Sequence, residues 1–395
     1  MRRARSFKLL DRGTIVAHML YLDHAATTPM RPEVWEAMAP YAGEVYGNAS
    51  GSHGAARLAK NALEEARERA ARLLGARPLE IVFTGGGTES DNLALQGAAL
   101  AGRRRGGVVT TAIEHEAVLE TAAFLTGLGC RVDLVGVDRM GRVDPKEVAG
   151  AVGGDTAVVS IMAANNETGV VQPVRKVSEA VKAANPEVAV HTDAVQSFIS
   201  QDLNVDDLGA DMVSLAAHKF GGPKGVGLLY VRTGVGLEPI LHGGGQELGR
   251  RSGTHNVMGA VGMVQAMELA ASDRERFVVD VGEARRRFEE GLRVAIPDLE
   301  VNAPLDGRLV QHSHVRIPGV RNETLLVRLD QRGLAASAGS SCQSGAATVS
   351  HVLAAMGFDD EPARQCLRVS FGWTTTPQDG DDAAAIVAEA VQGLR

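Results

Sequence analysis

From about residue 55 to 270, short apolar runs rich in valine and isoleucine alternate with longer segments of helical period. Strands covered on both faces read as continuous apolar runs, so this alternation predicts an α/β fold built on a mostly parallel sheet. Strands are expected at 80–84, 107–111, 131–135, 157–162, 188–191, 211–215 and 226–231, with helices between most of them. Past residue 270 a charged helical stretch runs through Glu290, then come further strand-like runs and a closing helix, which predicts a smaller α+β domain. The boundary is expected in a Pro-free helix near 258–292, and the opening strand at 20–23 is expected to pack away from the large domain. The expected division is therefore 34–270 for the large domain and 19–33 with 271–395 for the small one. Residues 1–18, with Arg2, Arg3 and Arg5, are read as an extension or alternative start outside the fold.

A chain of 395 residues, 45% of them hydrophobic, has enough apolar mass for one large domain or two cooperating ones. Its net charge of −7 argues against direct nucleic-acid binding and against broad binding to anionic lipid, and the arginine triplets at 103–105 and 285–287 read as solvated surface. No apolar run reaches the roughly 18 residues of a membrane span, and residues 1–18 lack the apolar core of a secretory signal. Cys130, Cys342 and Cys366 form no C-x-x-C pair, so neither a disulfide framework nor a thiolate metal site is expected, and the reducing cytoplasm is the expected location. Cys130, placed on a strand, and Cys366 read as small buried hydrophobes.

Candidate chemistry gathers where the predicted strands end. Gly85-Gly86-Gly87-Thr88-Glu89-Ser90 follows one strand and opens a helix. Backbone N–H groups freed at Gly87, with the Thr88 hydroxyl, suit a phosphate at the positive end of a helix, and a plain flexible turn is the alternative. Lys219 ends another strand before a Gly-rich turn; an amine short of water there loses basicity and becomes nucleophilic, able to bond an aldehyde. A lone lysine at a strand end is ordinarily solvated, and Lys224 is its rival, so the reading depends on neighbours. Asp193 follows a buried strand, with Gln196 beyond it: a carboxylate to keep a pyridine nitrogen protonated and a neutral donor for the ring's phenolic oxygen, or else a helix cap. His115 lies just past a further strand, placed to stack on a flat ring and shuttle protons, and Asn165 and Asn166 follow a fourth. Ligands of open α/β sheets collect beyond the carboxyl ends of strands, so all these groups can meet in one crevice.

The ordered series of these segments resembles a known family. It runs through Tyr21-Leu22-Asp23-His24-Ala25-Ala26-Thr27-Thr28-Pro29, T-G-G-G-T-E-S-D-N from Thr84, E-H at His115, N-N-E-T-G from Asn165, D-A-V-Q from Asp193, H-K at Lys219 and Arg251-Ser252-Gly253-Thr254. The chain after residue 19 is similar to the aminotransferase class V group of fold-type I pyridoxal-phosphate enzymes, and within it to the cysteine desulfurases. The resemblance implies pyridoxal 5′-phosphate as cofactor, Lys219 as the lysine that carries it, and Asp193 as partner of its ring nitrogen. It implies Gln196 and Asn166 near the phenolic oxygen, His115 as stacked ring and acid/base, and Thr88 and His218 as phosphate ligands. Arg251 and Thr254 match the segment that crosses a dimer interface to the neighbour's site, so a homodimer is expected. Arg368 is similar to the clamp for the carboxylate of the substrate, L-cysteine.

Cys342, within Gly339-Ser340-Ser341-Cys342-Gln343-Ser344-Gly345, stands where the family places its persulfide cysteine. The implied reaction has Lys219 take the α-proton, Cys342 attack the substrate sulfur, L-alanine leave, and a sulfur-acceptor protein receive the sulfur. Three departures stand out: Ala216 replaces a serine that donates to the phosphate in many relatives, the surroundings of Cys342 differ from G-S-A-C-T or G-S-A-C-S, and Arg395 closes the chain where iron–sulfur-dedicated relatives often carry a docking tail. The overall pattern is most similar to the desulfurase of bacterial DNA phosphorothioation systems. Iron–sulfur assembly and tRNA thiolation remain alternative destinations. A lyase of the selenocysteine type, a transaminase and an assembly subunit activated by a partner remain alternative functions.

Overall fold

The structure, a computed structural model of the chain, describes residues 19–102, 105–304, 306–339 and 349–395. Its strands are β1 (Leu20–Tyr21), β2 (Ile81–Thr84), β3 (Gly107–Thr111), β4 (Val132–Val135), β5 (Thr156–Ser160), β6 (Ala189–Asp193), β7 (Met212–Ala216), β8 (Gly227–Val231), β9 (Glu300–Val301), β10 (His312–Arg316), β11 (Leu334–Ala335) and β12 (Cys366–Ser370). Seven of them form one sheet in the order β2-β8-β7-β6-β5-β3-β4, parallel except for β8, which runs antiparallel to both neighbours. This is the α/β architecture the apolar runs predict. The interior strands β3, β6, β7 and β8 are buried at every position, whereas the edge strand β4 exposes Leu134 and carries Asp133, paired with Arg131 at 3.1 Å. Charge on an edge strand discourages pairing with another chain.

All seven predicted strands form, β3 with both ends as expected and the others with at least one end displaced by one or two residues. The largest consequence is at β6, which extends to Asp193, so that acid is the last residue of the strand instead of following it. Cys130 lies just before β4 instead of on it, buried as expected; Cys366 begins β12 and is likewise buried.

The helix expected near 258–292 spans Val257–Ala295, 39 residues. Its first half packs on the helices Pro32–Met38 and Gly54–Leu74, its second on the closing helix Pro377–Gln392. Glycines mark the closest approaches: a Cβ at Gly262 would strike Met38, and one at Gly291 would lie 2.8 Å from the Ala384 Cβ. The triplet at 285–287 is only partly solvated. Arg286 and Arg287 pair with Glu283, but burial and the nearby Arg308 lower the pKa of Arg285, whose Nε and Nη1 are buried without an acceptor among the described residues. The counterpart at 103–105 has its first two residues outside the described ones.

Beyond the long helix, β12, β10 and β9 make a small antiparallel sheet, and β1 pairs in parallel with β11. A bridge from Asp23 to Ser370 ties the start of the chain to β12. No helix among the described residues is long and apolar enough to cross a membrane.

Candidate active site

The carboxyl ends of β2, β3, β5, β6 and β7 present, in turn, the Gly-rich turn, His115, Asn166, Asp193 and Lys219. Parallel strands place all of these ends at one edge of the sheet. The helix Gly87–Leu100 begins inside the Gly-rich turn, and there the backbone passes close to neighbouring strand ends: a Cβ at Gly87 would lie 2.9 Å from Val195 Cγ2 and 3.5 Å from Ala216 Cβ. Gly87, Thr88, His218, Lys224, Ala26 and Thr27 line a cavity of about 840 Å³ in front of that helix. Free N–H groups and the helix dipole make this an anion site. The His218 Nδ1 lies 3.1 Å from the Thr27 hydroxyl, and burial, with Lys219 and Lys224 adding to it, lowers its pKa to about 4, so the ring is neutral near pH 7. Ala216 contributes no hydroxyl here, as its identity implies.

Lys219 follows β7 in a short 3-10 turn, Ala217–Lys219. Its Nζ donates to the carbonyls of Ala25 at 2.5 Å and Ala26 at 2.9 Å, and Gln196 Nε2 donates to the same Ala25 carbonyl at 3.0 Å. The Ala25-Ala26 segment and the lysine thus share one wall of the site. His115 caps the helix Glu116–Gly127 by accepting, at Nδ1, the Ala117 N–H at 3.0 Å. An accepting Nδ1 leaves the proton of a neutral ring on Nε2, the nitrogen free to face a ligand.

Asp193 Oδ1 accepts the Val195 N–H at 2.9 Å; burial raises the pKa of the carboxyl, and the charges of His115 and Lys219 oppose that rise. Two further buried acids stand behind it. Asp91 is pushed well above the usual range by burial and then by Asp193, and Glu114 is pushed to about 8, again chiefly by burial. Between β5 and β7, His191 bridges the hydroxyls of Ser160 at 2.8 Å and Ser214 at 2.9 Å, and burial drops its pKa to about 3. A cation beside Asp193 would meet a carboxyl already crowded by buried acids.

Glu114 Oε1 accepts from the Thr111 hydroxyl at 2.7 Å and the Met162 N–H at 2.9 Å, while its Oε2 is buried without a partner among the described residues. A raised acid keeps its proton in the folded state and releases it in the unfolded one, so its contribution is full below about pH 4.5 and lost as pH rises towards 8. Glu114→Gln keeps the accepting oxygen and abolishes the titration. Between pH 5 and pH 7 the variant is expected to gain roughly 2 to 3 kcal/mol on the wild type, measured by denaturant unfolding at the two pH values.

Arg368 enters from β12, fully buried, with Nη1 on the carbonyls of Asn166 at 3.0 Å and Gly339 at 3.2 Å and Nη2 on Asp23 Oδ1 at 2.7 Å. Around it on the same face of the small sheet lie His312 and His314, and His24 stands near β12; burial lowers their pKa values to about 3, 3 and 4. All three imidazoles are therefore neutral and leave Arg368 as the local cation. Arg251 and Thr254 are not brought to the main cavity. Arg251 forks at 2.7 and 3.2 Å onto Glu89, which lines the main cavity, and itself lines a separate space of about 140 Å³ with Thr254, Gly85, Glu247 and His255 on its wall. Cys342 lies outside the described residues.

Several participants carried no role in the sequence reading: Asp23, Glu89, Asp91, Glu114 and the three neutral histidines. Asp23, Glu89, Asp91 and Glu114 sit inside the quoted motifs; nothing in a local pattern marks His312 and His314, which alternate like a solvent-facing strand. An amine at the end of β7, a buried carboxyl at the end of β6 and an anion site at a glycine-opened helix fit a phosphorylated pyridine aldehyde in size and charge.

Comparison with known proteins agrees with this chemistry. The aminotransferase class-V family profile matches residues 20–382. The chain is 41% identical over 377 residues to the cysteine desulfurase IscS of Dictyoglomus turgidum, covering 95% of each. A solved NifS-like protein superposes with a TM-score of 0.89 at 38% identity, covering 95% of this chain and 100% of that one. DndA from Streptomyces lividans superposes at 0.75 with 36% identity, covering 87% and 97%.

Proposed function

The chain belongs to the aminotransferase class-V family and is a pyridoxal-phosphate-dependent cysteine desulfurase, and we propose that it moves the sulfur of L-cysteine onto Cys342. The observation that carries this reading is the meeting of Lys219, Asp193 and the Gly87 helix start at one end of the sheet. When bound, pyridoxal phosphate supplies an aldehyde that bonds the substrate amine and a protonated ring that draws electrons from the α-carbon. Gly87, Thr88 and His218 would hold the phosphate, and Asp193, raised by burial, would answer the ring nitrogen. Gln196 and Asn166 would answer the phenolic oxygen, and Arg368 would take the substrate carboxylate. Lys219 would remove the α-proton, and His115, with its proton on Nε2, would manage the thiol proton. The Cys342 thiolate then attacks the substrate sulfur, so that an S–S bond forms as the Cβ–S bond breaks, leaving Cys342 with a persulfide and the carbon skeleton to leave as alanine.

The same reading includes a homodimer in which Arg251 and Thr254 serve the neighbour's site. Exposed Leu241 and Leu248 on that segment support it. It also includes the division into 34–270 and 19–33 with 271–395, a cytoplasmic location suited to single reduced thiols, and an acceptor protein for the persulfide. Likeness to DndA supports DNA phosphorothioation as the destination of the sulfur. Cys342→Ser is expected to lower alanine formation from L-cysteine by about 100-fold or more and to abolish persulfide, read by mass spectrometry. Normal persulfide in this variant would remove Cys342 from its role, and full activity on selenocysteine would favour a lyase.

A further inference from the structure

Arg368 is 1% exposed, and a guanidinium withdrawn that far from water needs an anion beside it. In this chain Asp23 supplies it, 2.7 Å from Nη2, while the two Nη1 partners are neutral carbonyls. Glu167, another acid within electrostatic reach of Arg368, is engaged by the Ser350 hydroxyl at 2.7 Å and has its pKa raised by burial. Arg368 Nε is buried and has no acceptor among the described residues, so the Nε–Nη2 edge of the fork carries a single bond, the one to Asp23. A substrate carboxylate arriving at that edge makes two parallel bonds where Asp23 makes one. Two carboxylates on one buried guanidinium leave a net negative charge, and of the two Asp23 has the path to water: its side chain is 21% exposed against 2% for Arg368.

We infer that Asp23 is a resident carboxylate that occupies the substrate-carboxylate position on Arg368, so that the amino acid binds by exchanging one carboxylate for another. This rests on Arg368 being the substrate clamp. The exchange keeps the buried charge constant through the binding step and makes a planar carboxylate the condition of entry: an ester or amide of cysteine cannot displace Asp23 without leaving Arg368 unpaired. It also weakens substrate binding, because Asp23 must be displaced first.

The test is equilibrium titration of the pyridoxal-phosphate-loaded protein with L-alanine, in the wild type, Asp23→Asn and Arg368→Gln. Asp23→Asn is expected to bind L-alanine roughly tenfold more tightly, since no charge has to be displaced, and Arg368→Gln at least tenfold more weakly. Weaker or unchanged binding by Asp23→Asn, with Arg368→Gln still weak, would overturn the exchange and leave the clamp standing. Unchanged binding by Arg368→Gln would remove the clamp itself, and the exchange with it. As a companion, the loaded Asp23→Ala protein is melted with and without acetate: it is expected to gain stability from acetate where the wild type does not, and an equal response would contradict the inference.

Discussion

Lys219→Ala is expected to lower alanine formation from L-cysteine by at least about 10⁴-fold, with the cofactor no longer trapped on the chain after borohydride reduction. The lysine is the one amine at the edge of the sheet held by the carbonyls of Ala25 and Ala26, at the end of a strand buried along its whole length. In the proposed mechanism, removing it takes away both the covalent attachment and the base that reaches the α-proton, and no other side chain among the described residues at the site is assigned the pair of tasks. Lys224 lines the cavity but belongs to the following turn. Rates of alanine release and the mass of the reduced, denatured protein check the two halves of this expectation; a variant that retains either would relocate the attachment site.

The second large effect concerns stability. Arg67, 5% exposed, forks onto Glu247 at 2.8 and 2.9 Å and donates to the Ile81 carbonyl at 2.6 Å, while Glu247 also accepts the Phe83 N–H at 3.1 Å and lies 3.0 Å from His255 Nδ1. Burial works to raise the pKa of Glu247, but the bonds from His255 and Arg67 overcome it and bring the carboxyl to about 2. Glu247 and Leu248 also adopt left-handed backbone, φ 49° and 59°, a conformation that costs energy in residues with a Cβ. Arg67→Ala strips the buried carboxylate of its main counter-charge, so a loss of about 3 to 5 kcal/mol is expected in denaturant unfolding. Because the acid is depressed, the pair's contribution is fully present above about pH 4.5 and falls away as pH drops towards 2, so wild type and variant should converge in acid. A loss below 1 kcal/mol near neutral pH would mean that the pair is easily resolvated.

The seven strands of the large sheet were legible because strands covered on both faces leave an unbroken apolar run, and at β6 the end was displaced because hydrogen bonding continues past the last apolar residue. It continues there to Asp193, a polar residue that ends a strand buried throughout. The site segments were legible for a related reason: each follows such a run, and the parallel topology brings the ends together. What joins distant parts of the chain was not legible. Asp23 and Arg368 are 345 positions apart, and Arg67 and Glu247 180 apart, so their pairing appears in no local periodicity. Arg285 was misread for the same reason, since an arginine on an amphipathic helix looks solvated until the neighbouring Arg308 is placed beside it.

Sulfur transfer to Cys342 is tested most directly by incubating the purified, pyridoxal-phosphate-loaded protein with L-cysteine and measuring by mass spectrometry both the alanine formed and the mass of the peptide bearing Cys342. Alanine together with one added sulfur on that peptide is the predicted result. Alanine with the added sulfur on Cys130 or Cys366, or with no sulfur on the chain, would contradict it.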